Sequence, residues 1–225
     1  MTDLTARVAE ANDVLAQAVL ECGGPERILL ALSGGKDSMI AAHLAKQHGI
    51  RAAVCETSWT FDCIVDHARR FARSHQLAVT YTSVVGDPAW LRRHQRIIFT
   101  DDTKLRAWTF HVRQHRAINE VAARDGHHGT LTGRRTAENA VPAPIYRTRD
   151  GLLRIHPLRS WTTAEAWADI EQHRLKVSPT YATVFGQTGP FYTLRESKAG
   201  SRAAAWAVCA QLDPTFTPKQ LGVDR

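Results

Sequence analysis

The chain has 225 residues, 44% hydrophobic and 23% charged, which suits one large globular domain and excludes a disordered or low-complexity protein. A formal charge of +7 favours anionic partners, with nucleotides foremost and nucleic acid second. No apolar run approaches membrane-spanning length, and Met1-Thr2-Asp3-Leu4 lacks the regions of a secretory signal, so a cytoplasmic protein with no membrane role is expected.

In chain order, Leu4, Val8, Ala11, Leu15 and Val19 fall at helical spacing, and Gly23-Gly24-Pro25 stops an N-terminal helix placed at 2–22. A first strand follows at 27–32, then a small-residue turn and a helix to about Gln47 that Gly49 ends. Ala52-Ala53-Val54-Cys55 predicts a second strand, Phe61 to His75 a helix, and Leu77 to Val85 a third strand rich in Val, Thr and Tyr. Gly86-Asp87-Pro88 breaks the chain. Residues 89–124 predict mainly helix, with basic residues interleaved among Trp90, Trp108 and Phe110. Gly129 to Gly133 predicts a fourth strand, 140–150 a proline-rich loop, Leu152 to Ile155 a fifth strand and Thr163 to His173 a helix. Strands alternating with helices predict an α/β fold: a parallel five-stranded sheet with helices on both faces. Residues 1–181 are read as the nucleotide-binding domain and 182–225 as a C-terminal extension.

The most informative stretch is Ser33-Gly34-Gly35-Lys36-Asp37-Ser38. It lies between the apolar run Ile28 to Leu32 and a helix start, which is where backbone amides and the positive helix end meet an anion. Gly34 and Gly35 let the backbone turn and approach closely. Ser33 and Ser38 add hydroxyls, Lys36 a point charge, and Asp37 a carboxylate for magnesium or its water. The spacing is not that of a Walker A loop. The cysteines (Cys22, Cys55, Cys63 and Cys209) have no C-x-x-C spacing, so buried small residues are expected in place of a zinc ribbon, an iron–sulfur site or disulfides. His127-His128 and the pair His111 and His115 are read as non-ligating: neighbours on a strand face opposite ways, and the second pair has no evident third ligand.

Ser-Gly-Gly-Lys-Asp-Ser resembles the PP-loop of the ATP pyrophosphatase superfamily. Two further blocks resemble the phosphoadenosine-phosphosulfate reductase-like branch. They are Gly133-Arg134-Arg135-Thr136-Ala137-Glu138-Asn139, and His156-Pro157-Leu158-Arg159-Ser160-Trp161-Thr162 followed by Ala166-Trp167. Glu56-Thr57 stands where that branch has Asp-Thr, and Leu175 to Tyr181 roughly matches its next segment, so the resemblance spans about 27–181.

The resemblance implies that the loop and Thr57, with Gly133, bind the nucleotide. It implies that Lys36, Asp37 and Arg135 are catalytic. Arg134, Arg135, Glu138 and Arg113 would meet substrate, with Glu138 orienting the arginine or helping magnesium. Trp161 and Trp167 are read as core.

Two departures matter. No Glu-Cys-Gly-type motif follows residue 181, and Trp108 stands where relatives carry a redox cysteine, with Arg113 in place of a lysine. A tryptophan cannot do thiol chemistry. The implied activity is therefore adenylyl transfer from ATP with Mg2+, releasing pyrophosphate and activating an acceptor oxygen for sulfur or amine insertion. The acceptor is a small molecule or a nucleic-acid base. Alternatives are a sulfate adenylyltransferase small subunit, an FAD synthetase type, or a non-catalytic module binding nucleotide or nucleic acid through 89–124. A homodimer is left open.

Overall fold

The computed structural model describes residues 4–57, 62–83, 115–137, 141–178 and 181. Among the described residues six strands form one sheet: β1 (Ile28–Ala31), β2 (Ala52–Glu56), β3 (Ala78–Thr82), β4 (Gly129–Leu131), β5 (Ile145–Arg147) and β6 (Leu153–Ile155), in spatial order β3-β2-β1-β4-β6-β5. The described helices are α1 (Leu4–Cys22), α2 (Lys36–Gln47), α3 (Asp62–Ser74), α4 (Ala117–Arg124) and α5 (Thr163–Gln172). The chain clusters into two compact units, one of 1–55, 68–80 and 118–177, the other of 56–67, 81–117 and 178–225. Among the described residues no helix is long and apolar enough to cross a membrane.

The helix boundaries follow from local chemistry. Ala11, Leu15, Ala18 and Cys22 are the buried residues of α1, one stripe at helical spacing. Gly23 ends it in the left-handed region, φ +80°, where a side chain would be strained. Its N–H donates to Leu20 O, and Gly24 N–H reaches Val19 O at 2.9 Å, the paired bonds of a Schellman cap. At α5, Thr162 Oγ1 accepts from Glu165 N–H while Thr162 N–H donates to Glu165 Oε2 at 2.6 Å, a reciprocal capping box. The Trp-Thr block is thus, physically, a helix start.

The sheet is buried on both faces, so β1 reads as a continuous apolar run. Ile28, Leu30 and Leu32 belong to the cluster that includes α1, α2, the C-terminal part of α3, and α5; Leu29 and Ala31 face Ile118, Val121 and Ala122 of α4. β1 pairs in parallel with β2 and β4, and β4 in parallel with β6.

The sequence reading of five parallel strands is corrected by β5. It lies in the segment expected to be loop and pairs antiparallel with β6, Tyr146 opposite Arg154. The turn between them is closed by Gly151 N–H to Thr148 O and Thr148 N–H to Leu152 O, with Gly151 at φ +85°. Pro142 and Pro144 masked the strand: prolines are tolerated beside an edge strand, not in a central one. The Asp150-Gly151 pair between two apolar runs was the available hairpin signal.

A histidine cluster that composition alone does not suggest gathers at the ends of α3 and α5 beside α2. His43 of α2 lies 4.7 Å, ring centre to ring centre, from His173 and 5.8 Å from His75, which stacks on Phe71 at 3.8 Å. Burial, then the neighbouring His173, His75 and Lys46, push His43 down to about 4. Behind His173 lies buried Asp169, 3.2 Å from its Nδ1, whose carboxyl burial pushes up. A histidine with a depressed folded pKa takes up its proton more readily when unfolded. His43 therefore costs stability as pH falls from about 6.5 toward 4, and adds no further loss below that. Thermal melts across that window are expected to show a steeper fall for the native protein than for His43→Leu; parallel curves would refute this.

Candidate active site

The loop sits at the switch point of the sheet. β1 has β2 on one side and β4 on the other, so the chain leaves β1 one way and later returns to its opposite flank. Ligands of open α/β sheets bind beyond the strand ends there. Gly34 takes φ +77° and Gly35 caps α2 with no side-chain hydrogen bond. The first amides of such a helix point along its axis without intrahelical carbonyls.

A compact hydroxyl network fixes the bend. Ser38 Oγ donates to Gly35 O at 2.8 Å and accepts from Ser33 N–H at 3.3 Å and Ser33 Oγ at 3.2 Å; Gly35 N–H donates to Ser33 Oγ at 3.4 Å. Lys36 is only 4% exposed, and its Nζ donates to both oxygens of Asp37, at 3.0 and 2.8 Å.

The loop after β4 closes onto this bend. Gly133 approaches so near that a Cβ there would stand 2.4 Å from the carbonyl carbon and oxygen of Asp37 and 2.8 Å from the amide nitrogen of Ser38. Its φ is not left-handed; Gly133 is required by space. Two residues on, Arg135 is 1% exposed. Its Nε lies 3.0 Å from Asp37 Oδ1, and its Nη1 reaches Thr163 Oγ1 at 3.2 Å and Trp161 O at 3.5 Å. One guanidinium thus joins the α2 start to the α5 start. The three sequence blocks meet through it: Asp37 from the first, Arg135 from the second, Trp161 and Thr163 from the third.

The resemblance puts Arg135 at the ligand; the contacts its buried guanidinium makes within the protein include Asp37, Trp161 and Thr163. Arg134, beside it, is half-buried. Thr57 donates both its N–H and its Oγ1 to Thr82 O, at 2.8 and 3.1 Å, tying the ends of β2 and β3. Trp161 is 1% exposed, and Trp167 packs partly buried on the same core. Cys22 and Cys55 are buried, and burial pushes the Cys22 thiol up. His127 and His128 each face a backbone carbonyl, Glu26 O and Cys22 O. Arg113, Glu138, Trp108, His111, Cys209, the segment 89–114 and the extension lie outside the described residues. Among the described residues no three acids, histidines or cysteines form a metal cluster.

Residues 27–194 match the sequence profile of the phosphoadenosine phosphosulfate reductase domain. The chain belongs to this family. An adenosine 5'-phosphosulfate reductase of Allochromatium vinosum is 24% identical over 215 residues, covering 90% of this chain and 81% of that protein. Among solved structures, a phosphoadenylyl-sulfate reductase of Candida auris aligns at a TM-score of 0.59 and 15% identity, over 75% of this chain and 82% of that one. An NH3-dependent NAD synthetase of Campylobacter jejuni aligns at 0.58 and 16%, over 98% and 91%. These likenesses carry the fold, an α/β layer with a mostly parallel sheet, and membership of the family makes the chain a nucleotide-utilising PP-loop enzyme. Within the family, the Arg135 bridge was partly legible in sequence. An acid at position 37 and an arginine after β4 were both singled out, but nothing in their spacing pairs them.

Proposed function

We propose that this PP-loop protein is an ATP-dependent adenylyl-transfer enzyme. An acceptor oxygen forms a bond to the α-phosphorus, the bond from that phosphorus to the bridging oxygen breaks, and pyrophosphate leaves with the electron pair. The observation that carries the reading is the cradle itself: a glycine bend, an uncapped helix start and a buried lysine, held shut by Gly133 and by the Asp37–Arg135 pair. Such a cradle suits a polyphosphate tail, because catalysis of phosphorus transfer is largely positioning and charge neutralisation.

In this reading the loop amides and Ser33 hold the leaving pyrophosphate, and Lys36 passes from Asp37 to a phosphate oxygen. Asp37, a hard oxygen donor, would hold magnesium, which supplies further charge neutralisation on the pyrophosphate. Arg135 positions Asp37 and does not touch substrate, while Arg134 is left to meet the α-phosphate or the acceptor. Thiol-based reduction is disfavoured by the burial of Cys22 and Cys55 and by Trp108 at the redox position.

The test is incubation with α-labelled ATP, magnesium and candidate acceptors, followed by product analysis. AMP-bearing product and pyrophosphate are expected, with turnover falling about 10²–10³-fold in Lys36→Ala and Asp37→Ala. ADP as the spent nucleotide, or full turnover in both variants, would overturn the proposal.

A further inference from the structure

On the α4 face of the sheet, one end breaks the apolar pattern. β1 and β2 present Leu29 and Val54 to Ile118, Val121 and Ala122. Across β4, β6 and β5 the matched register instead sets Thr130, Arg154 and Tyr146 in a row. Arg154 is 7% exposed. Its Nη1 donates to Thr130 Oγ1 and its Nη2 to Asn119 Oδ1 of α4, both at 2.8 Å. Both partners are neutral, and a guanidinium has five N–H donors. Among the described residues no carboxylate forms an ion pair with Arg154. The titratable acids whose fields reach it are the Tyr146 phenol and then the Asp150 carboxylate, exposed in the turn, and Arg134 adds a second positive charge nearby. Burying a cation among neutral groups, with another cation close, is unfavourable unless an anion completes the site.

The row also leads to the loop. One step toward the strand ends on the same face, Thr132 Oγ1 and His156 Nδ1 lie 2.8 Å apart, and the His156 ring stacks on Tyr146 at 5.6 Å. Thr132 precedes Gly133, which touches the Asp37 backbone. Two residues along a strand span roughly 7 Å. Arg154 is thus set one short molecule's length behind the phosphate cradle.

We infer that Arg154, with Thr130, Asn119 and Tyr146, forms an oxyanion subsite that takes the phosphate or sulfate group of the acceptor. The role assigned to that group rests on the adenylyl-transfer reading; the subsite itself does not. The guanidinium fork suits two oxygens of one tetrahedral anion.

The experiment is calorimetric titration of the Lys36→Ala protein, whose loop is weakened, with inorganic phosphate, sulfate and glycerol phosphate. Saturable binding is expected that weakens at least ~10-fold when Arg154→Gln is added. Binding of the inorganic anions alone marks a closed site for a free anion, and binding of the monoester as well marks one open to a larger acceptor; either supports the subsite. Should Arg154→Gln not fold, selenate soaked into crystals of the unaltered protein is expected to give an anomalous peak within hydrogen-bond distance of Arg154. Anion found only at the loop, or affinity indifferent to Arg154→Gln, overturns the inference. ATP affinity at an unaltered loop is expected to survive Arg154→Gln. If no acceptor yields AMP and pyrophosphate while selenate still seats on Arg154, the adenylyl-transfer reading fails and the subsite stands.

Discussion

Gly133→Ala is expected to abolish nucleotide use while leaving the chain folded. The added methyl would stand 2.4 Å from the Asp37 carbonyl group, and the neighbour is backbone, which cannot rotate away as a side chain would. Either the strand-end loop retreats or the phosphate bend distorts. Overpacking of this kind costs about 1–3 kcal/mol of stability, and a displacement near 1 Å at a positioning group costs on the order of 10²-fold in rate. ATP turnover should fall by about that factor, with the melting temperature lowered only by several degrees. Near-native turnover in Gly133→Ala would show that the loop after β4 does not define the cradle.

Arg135→Leu is expected to be the most destabilising single change in the site. It leaves the Asp37 carboxylate, whose side chain is only 16% exposed, with Lys36 and without the guanidinium 3.0 Å away. It also strips Thr163 Oγ1 and Trp161 O of a shared donor at the start of α5. Removing one partner of a buried ion pair costs roughly 3–5 kcal/mol, or about 10 °C in a domain of this size. Removing both charges is a different matter, because an apolar replacement of the pair is often close to neutral. Because Asp37 also pairs the buried Lys36, removing the whole cluster in Arg135→Leu, Asp37→Asn, Lys36→Met should recover much of the melting temperature. If instead Arg135→Lys restores full turnover with weakened binding of substrate alone, the residue meets substrate directly.

The sequence disclosed what repeats or has a fixed period. The apolar run of β1, the stripe of α1 and the glycine bend are local patterns, and each is where the pattern puts it. The order of the motif blocks located the switch point for the same reason: each follows a strand. What the sequence concealed depends on partners distant along the chain. Arg135 was visible as an arginine at a strand end, whereas its burial against Asp37 and Thr163 exists only once two strand-end loops converge. His43, His75 and His173 lie on three different segments and have no spacing to betray them. Arg154 read as one more basic residue in a short strand; its register opposite Thr130 and Tyr146 gives it meaning.

The antiparallel hairpin of β5 and β6 bears on how copies of the chain can meet. The outermost strand of a sheet invites another strand to add to it. Here that margin is three residues long, is preceded by exposed Pro142 and Pro144, and carries exposed Arg147 with Arg149 close behind. Prolyl amide nitrogens that cannot donate and repelling positive charges make a poor seam for self-association. Among the described residues, two molecules growing together by continuous sheet across this rim would have to bring Arg147 and Arg149 of both copies close together.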